Sequence, residues 1–150
     1  RASEVIAVER HPEAIRQAKR LHQGAGITYL NEDVLSYAPQ ASYFDIVLIR
    51  GAIEHFSQPD QRQIFLLAYR ALKPGGWFCG DSPANPQKGE RQLASHENEW
   101  ANEYEMRTEL ETVFPVVETL TFPSRERITL FWQAQKPDVT PSTIKDQHNI

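Results

Sequence analysis

The sequence has 150 residues, with 16 Lys and Arg against 20 Asp and Glu, a formal net charge of −4, and is 40% apolar and 10% aromatic. A chain of this length and composition buries roughly 68–70% of the surface its unfolded form exposes, enough for a core without covalent staples. The single Cys79 excludes a disulfide framework and a Cys-based zinc site, and the acidic balance argues against a nucleic acid held on a basic face.

No run approaches the ~18 consecutive apolar residues of a membrane span, and Arg1 to Glu4 lack the apolar core of a secretory leader, so a cytoplasmic setting is expected. Val5-Ile6-Ala7-Val8 is a short β-branched run, as expected of a strand buried in a parallel sheet. It ends at Glu9-Arg10-His11. Pro12 suits the first position of a helix, and Ala14, Ile15, Ala18 and Leu21 recur at helical spacing through His22. Gly24 and Gly26 stop that helix, and Ile27 to Leu30 is a second strand ending in Glu32 and Asp33.

Phe44 to Ile49 is the clearest buried strand, followed by Gly51. From Pro59 the period turns helical: Ile64, Leu67, Ala68, Ala71 and Leu72 form one stripe, halted by Lys73-Pro74-Gly75-Gly76. Trp77 to Gly80 reads as the next strand and Ser82 to Ala101 as a long polar loop, of the kind that is functional or disordered. A helix is predicted from Asn102, with Glu105 placed for a capping box and Met106, Leu110 and Val113 inward. Val116–Thr121 and Ile128–Gln135 are β-rich and close enough for an antiparallel hairpin, and 136–150 reads as a disordered tail. The alternation predicts one α/β domain over 1–135, a mostly parallel sheet flanked by helices and ending in an antiparallel hairpin.

In such sheets ligands bind beyond the carboxyl ends of the strands. Those positions hold Glu9, Asp33, Arg50-Gly51 and Asp81. A carboxylate can accept both hydrogen bonds of a ribose diol, which suits Glu9, with Arg10 beside it; Asp33 with the Val34 backbone N–H suits an adenine edge. Gly51 would admit a ligand close to the backbone. Each also has a plain structural explanation, as a solvated charge or a turn.

Val5-Ile-Ala-Val-Glu9, Asn31-Glu-Asp33-Val34, Phe44-Asp-Ile-Val-Leu-Ile-Arg-Gly-Ala-Ile-Glu54-His55-Phe56 and Leu72-Lys-Pro-Gly-Gly-Trp-Phe78 together resemble the class I S-adenosylmethionine-dependent methyltransferases of small molecules. The resemblance covers Val5 to Phe78 by motif and extends to Gln135 by element order. It implies a Rossmann-like sheet, S-adenosylmethionine as cofactor, ribose binding at Glu9 and Arg10, adenine contacts at Asp33 and Val34, and Arg50 and Gly51 along the methionine end. Leu72 to Gly76 is then a helix stop and turn. The family's glycine-rich loop would lie upstream of Arg1, because Gly24-Ala25-Gly26 follows a helix and precedes a strand, the reverse of the required order. The sequence therefore reads as lacking the first strand and its loop, with a strand edge left open to self-association.

Methyl transfer by in-line displacement asks mainly for positioning of the acceptor, with a base where the acceptor must lose a proton. His55 is the candidate base and Glu54 a group to orient it or the substrate. His96 and Trp100 lie in the long loop and are candidate acceptor contacts; Trp100 also suits a loop anchor. Glu90 to Glu111 is rich in acids, suited to a cationic acceptor or to a solvated face. The five histidines show no metal-ligand spacing, so no metal is expected, and no Gly-x-Ser-x-Gly elbow suggests a hydrolase. Two other functions fit the sequence: a nicotinamide-dependent oxidoreductase, which also uses a ribose-binding acid, and a non-catalytic methyltransferase-like module that packs on another protein.

Overall fold

The computed structural model of the protein describes residues 2–138. They form two compact units that meet in sequence between Pro39 and Gln40.

The first unit is a parallel pair joined by a helix. Strand β1 (Val5–Val8) runs beside β2 (Ile27–Leu30) with Val5 opposite Ile27 and Val8 opposite Leu30. Helix α1 (Pro12–Leu21) is the crossover that a parallel pair requires, and Ile15 is its buried residue. Pro12 starts it where a missing N–H costs nothing, and Lys19 and Arg20 sit in its last turn, where they complement the helix dipole. Gly26, at φ +89°, turns the chain into β2; a Cβ there would collide with the Ser3 carbonyl, so only glycine fits.

The second unit is a four-stranded sheet in the order β3-β4-β6-β5, built from β3 (Phe44–Arg50), β4 (Leu72–Pro83), β5 (Val116–Pro123) and β6 (Ile128–Gln135). Strands β3 and β4 are parallel and linked by a 3₁₀ turn (Ile53–His55) and helix α2 (Gln58–Ala71); β4–β6 and β6–β5 are antiparallel. The α/β class and the C-terminal hairpin are as expected; the strands fall into two sheets, of which the four-stranded one is mixed.

Helix α2 is capped by Ser57, whose hydroxyl accepts from the Asp60 N–H at 3.4 Å. Helix α3 (Glu103–Glu111) is capped by Asn102, whose side chain accepts from Glu105 N–H at 3.0 Å. The predicted capping box is shifted by one residue: the Glu105 carboxylate reaches back to Ala101 N–H at 2.7 Å rather than to Asn102.

One face of the four-stranded sheet carries the core. Phe78 is fully buried, with ring centroids of Phe65, Phe114 and Trp132 at 5.9, 5.6 and 5.7 Å, and Leu130, Ala134, Met106 and Leu110 complete the layer. Removing a ring of this kind costs about 3–5 kcal/mol. The opposite face presents Ile46, Leu48, Leu120 and Phe122, all more than half exposed.

The Lys73-Pro74-Gly75-Gly76 segment departs from expectation. Helix α2 does stop before it, but the chain runs on as strand rather than turning: Leu72 pairs with Phe44 and Trp77 with Ile46, so a bulge absorbs the residues between. Gly75, at φ +77°, donates its N–H to the Lys136 carbonyl at 2.9 Å. Strand β4 also continues past Gly80 through Asp81, Ser82 and Pro83, because β6 pairs with it that far. Lys136 is held by its N–H to Gly76 O (3.0 Å) and its ammonium to Leu72 O (2.7 Å); residues 139–150 of the predicted tail lie outside the described residues.

Candidate functional site

In the first unit both acids singled out by sequence stand at carboxyl ends of parallel strands. Glu9 extends the β1–β2 ladder through its N–H to Leu30 O (3.0 Å), and its carboxylate accepts the His11 N–H at 2.7 Å, ahead of α1. The Asn31 amide donates to the carbonyls of both Glu9 and Arg10 at 2.9 Å and fixes the turn between strand and helix. Arg10 is exposed. Asp33 builds the turn after β2: its carboxylate accepts Leu35 N–H (2.9 Å) and its carbonyl accepts the N–H groups of Ser36 (3.0 Å) and Tyr37 (2.9 Å), with Val34 half-buried in the bend.

In the second unit Arg50 ends β3 and donates Nε to the Asp81 carboxylate at 2.8 Å, pairing an exposed guanidinium with a buried acid on β4. The hydrogen bond and charge of Asp81 hold the Arg50 proton more tightly than usual. Gly51 follows at φ +51° with its N–H on Asp81 O (3.1 Å). A Cβ there would meet no atom within 4 Å, so backbone conformation rather than crowding is what calls for glycine.

The 3₁₀ turn then brings the Glu-His pair onto the long loop. Glu54 is 4% exposed. Its carbonyl accepts the N–H groups of Glu97 (2.8 Å) and Asn98 (3.2 Å), and its carboxylate accepts the Ser82 hydroxyl at 3.4 Å. His55 is half-exposed and places Nδ1 3.1 Å from the Ser95 carbonyl. His96 is buried, with Nδ1 on the Glu99 carboxylate, and its ring meets that of His55 edge to face at 4.8 Å between centroids.

Burial pushes the Glu99 carboxyl up, but hydrogen bonds from His96, from the Asn85 amide and from Gln92 N–H outweigh it and hold Glu99 below the ordinary carboxylate range. Gln61, on α2, donates to the carbonyls of Ile53 and Asn98, both at 2.9 Å, and so ties the turn, the helix and the loop together.

The loop is thus ordered by named hydrogen bonds. Trp100 closes it: the indole is 1% exposed, stacked 6.5 Å from Phe65 and edge-on to Trp132 at 5.9 Å, the arrangement of an anchor enclosed by core rings. Its Nε1 and that of Trp132 are buried without a hydrogen-bond partner.

The fold brings Glu54, His55 and His96 together: one oxygen or nitrogen of each lies within 4.8 Å of the others, a grouping that histidine spacing in the sequence does not reveal. Sequence reading also passed over Gln61, Asn98, Glu99, Asn85 and Ser82. The three-residue spacing of His96 and Glu99 was the one available signal among them.

No curated protein matches the chain by sequence. A family model described as a methyltransferase domain matches residues 1–76, half of the chain. Solved structures match at low identity. NodS, an N-methyltransferase from Bradyrhizobium japonicum, is 19% identical with a TM-score of 0.70 over 89% of this chain and 74% of its own. A possible exported protein from Bordetella parapertussis gives 18%, 0.69, 89% and 53%, and phosphoethanolamine N-methyltransferase 2 from Haemonchus contortus 17%, 0.71, 89% and 44%. The chain therefore spans about half the length of those last two. The family model covers half of the chain, and the chain belongs to the methyltransferase-domain family.

Proposed function

We propose that the protein transfers a methyl group from S-adenosylmethionine to a small-molecule acceptor. The observation that carries this is the family match over residues 1–76, where β1 and β2 end in the carboxylates of Glu9 and Asp33. The residues suit the cofactor: each carboxylate has one oxygen engaged by a local N–H, and its second oxygen can accept from a diol or an exocyclic amine. Glu9, with Arg10 beside it, takes the ribose; Asp33 and the Val34 backbone take the adenine; Arg50 and Gly51 line the methionine end. The cofactor's sulfonium supplies an already activated methyl group, so the protein's task is positioning.

The acceptor is assigned to the side of Glu54, His55 and His96. His55, with Nδ1 against a carbonyl that can only accept, keeps Nε2 as a lone pair able to receive a proton from an acceptor hydroxyl or amine. Glu54 orients that acceptor, and the buried His96 stands beside His55. A small acceptor is supported by the Haemonchus contortus enzyme, which is seen with phosphomonomethylethanolamine and S-adenosylhomocysteine.

Thermal denaturation with added cofactors tests the assignment. S-adenosylmethionine and S-adenosylhomocysteine should each raise the melting temperature, by linkage to the folded state, while a nicotinamide dinucleotide leaves it unchanged. The reverse pattern would identify the oxidoreductase, and no shift with either would favour the non-catalytic module.

A further inference from the structure

We infer that Glu54, His55 and His96 form a binding site for a divalent transition-metal ion. The inference goes beyond methyl transfer and stands on side-chain geometry alone. One ligating atom from each residue lies within 4.8 Å of the other two, and Glu54 and His96 are buried. Ligand atoms around one such ion sit about 3–3.5 Å apart, given metal–nitrogen and metal–oxygen bonds near 2.0–2.2 Å. The present spread of up to 4.8 Å is wider than that, so binding an ion draws the three groups together.

Both imidazoles have Nδ1 engaged, which leaves Nε2 for an ion when the ring is neutral. The Ser95 carbonyl can only accept, so His55 Nδ1 carries the hydrogen and Nε2 carries the lone pair. The Glu99 carboxylate does the same for His96. A ring nitrogen donating to a carbonyl or carboxylate, with the other nitrogen turned outward, is the arrangement that orients histidine ligands in metal sites and raises their basicity. Glu99 is itself fixed by the Asn85 amide and Gln92 N–H, so a second layer of hydrogen bonds supports the ligand.

The Glu54 carboxylate supplies the charge. It is enclosed beside a hydroxyl donor at 3.4 Å, a weak return for burying an anion, and a cation at this point would compensate it directly. Two imidazoles and one carboxylate suit zinc, iron(II), cobalt(II) or manganese(II) rather than magnesium, which takes oxygen ligands and keeps its water. Three protein ligands leave coordination positions open. With the ion bound, His55 Nε2 is a ligand and does not serve as a base.

Calorimetric titration of chelator-treated protein with zinc chloride tests the site, with cobalt(II) absorption as a spectroscopic check on imidazole ligation. Wild type should bind one ion that is lost in Glu54→Gln and in His55→Ala, two variants whose folding is checked by circular dichroism, and Glu99→Gln should weaken binding about 10–100-fold. Absence of zinc and cobalt binding, or binding undiminished in both ligand variants, overturns the site. No methyl donor is present, so either result leaves the methyltransferase assignment to be judged by its own cofactor test.

Discussion

Gln61 and Asn98 clasp each other by two hydrogen bonds: Asn98 Nδ2 donates to Gln61 Oε1 at 2.8 Å, and Gln61 Nε2 donates to the Asn98 carbonyl at 2.9 Å. Gln61 lies on α2 and is 1% exposed, so the loop over the Glu54–His55 turn is fastened from inside the fold. Gln61→Ala leaves the Ile53 and Asn98 carbonyls and the Asn98 amide without this partner. We expect a loss of about 2–3 kcal/mol in urea denaturation. Amide exchange at Glu97 and Asn98, both bonded to Glu54 O, should accelerate more than exchange in β6; equal acceleration would mean the loop is not fastened at this point.

Gly80 and Trp132 are partners across the β4–β6 pair. A Cβ at position 80 would lie 2.5 Å from the Ile49 carbonyl and would run into the Trp132 ring, and neither can retreat without disturbing a strand or the core. Gly80→Ala should therefore cost about 3 kcal/mol or more. Gly89, in the exposed loop with its nearest neighbour at 3.4 Å, is the control, and Gly89→Ala should change stability by less than about 0.5 kcal/mol. Equal melting temperatures for the two variants would refute the packing argument.

Where local chemistry decides conformation, the sequence was readable. Val5–Val8, Ile27–Leu30 and Ile128–Gln135 carry their β-branched runs and end where the strands end, and Asn102 caps α3 as its position implied. Lys73–Gly76 misled because Pro and two glycines signal a turn, whereas pairing with β3 pulls the segment into a bulged strand. What orders the loop after β4 is not legible in its sequence, because its hydrogen bonds run to distant residues such as Gln61 and Glu54. The same distance hid the meeting of His96 with His55 and Glu54, which no spacing along the chain encodes.

Cys79 lies on β4 between Leu48 and Gln133, and burial pushes its thiol above the usual range. The thiolate is the reactive form, so alkylation by iodoacetamide at pH 8 should be slower than for a free thiol and should still be rising with pH where a free thiol has levelled off. Urea-unfolded protein should react at the free-thiol rate. A folded rate equal to the unfolded one at pH 8 would show that burial does not restrain this sulfur.

Glu9 is the residue on which the cofactor assignment turns. Its carboxylate accepts one bond from His11 N–H, so Glu9→Ala should cost no more than about 1 kcal/mol of stability, the scale of a lost helix-start interaction. Its effect on S-adenosylmethionine should be far larger, because charge-assisted hydrogen bonds to a diol contribute about 1.5–3 kcal/mol each. Calorimetry should show Kd rising by at least tenfold for Glu9→Ala and by less for Glu9→Gln, which keeps one acceptor oxygen. Glu13→Ala, which breaks an exposed contact with Arg16 on α1, should leave Kd unchanged. If Glu9→Ala binds the cofactor as wild type does, ribose recognition belongs to another residue and β1 ends in a turn-forming acid alone.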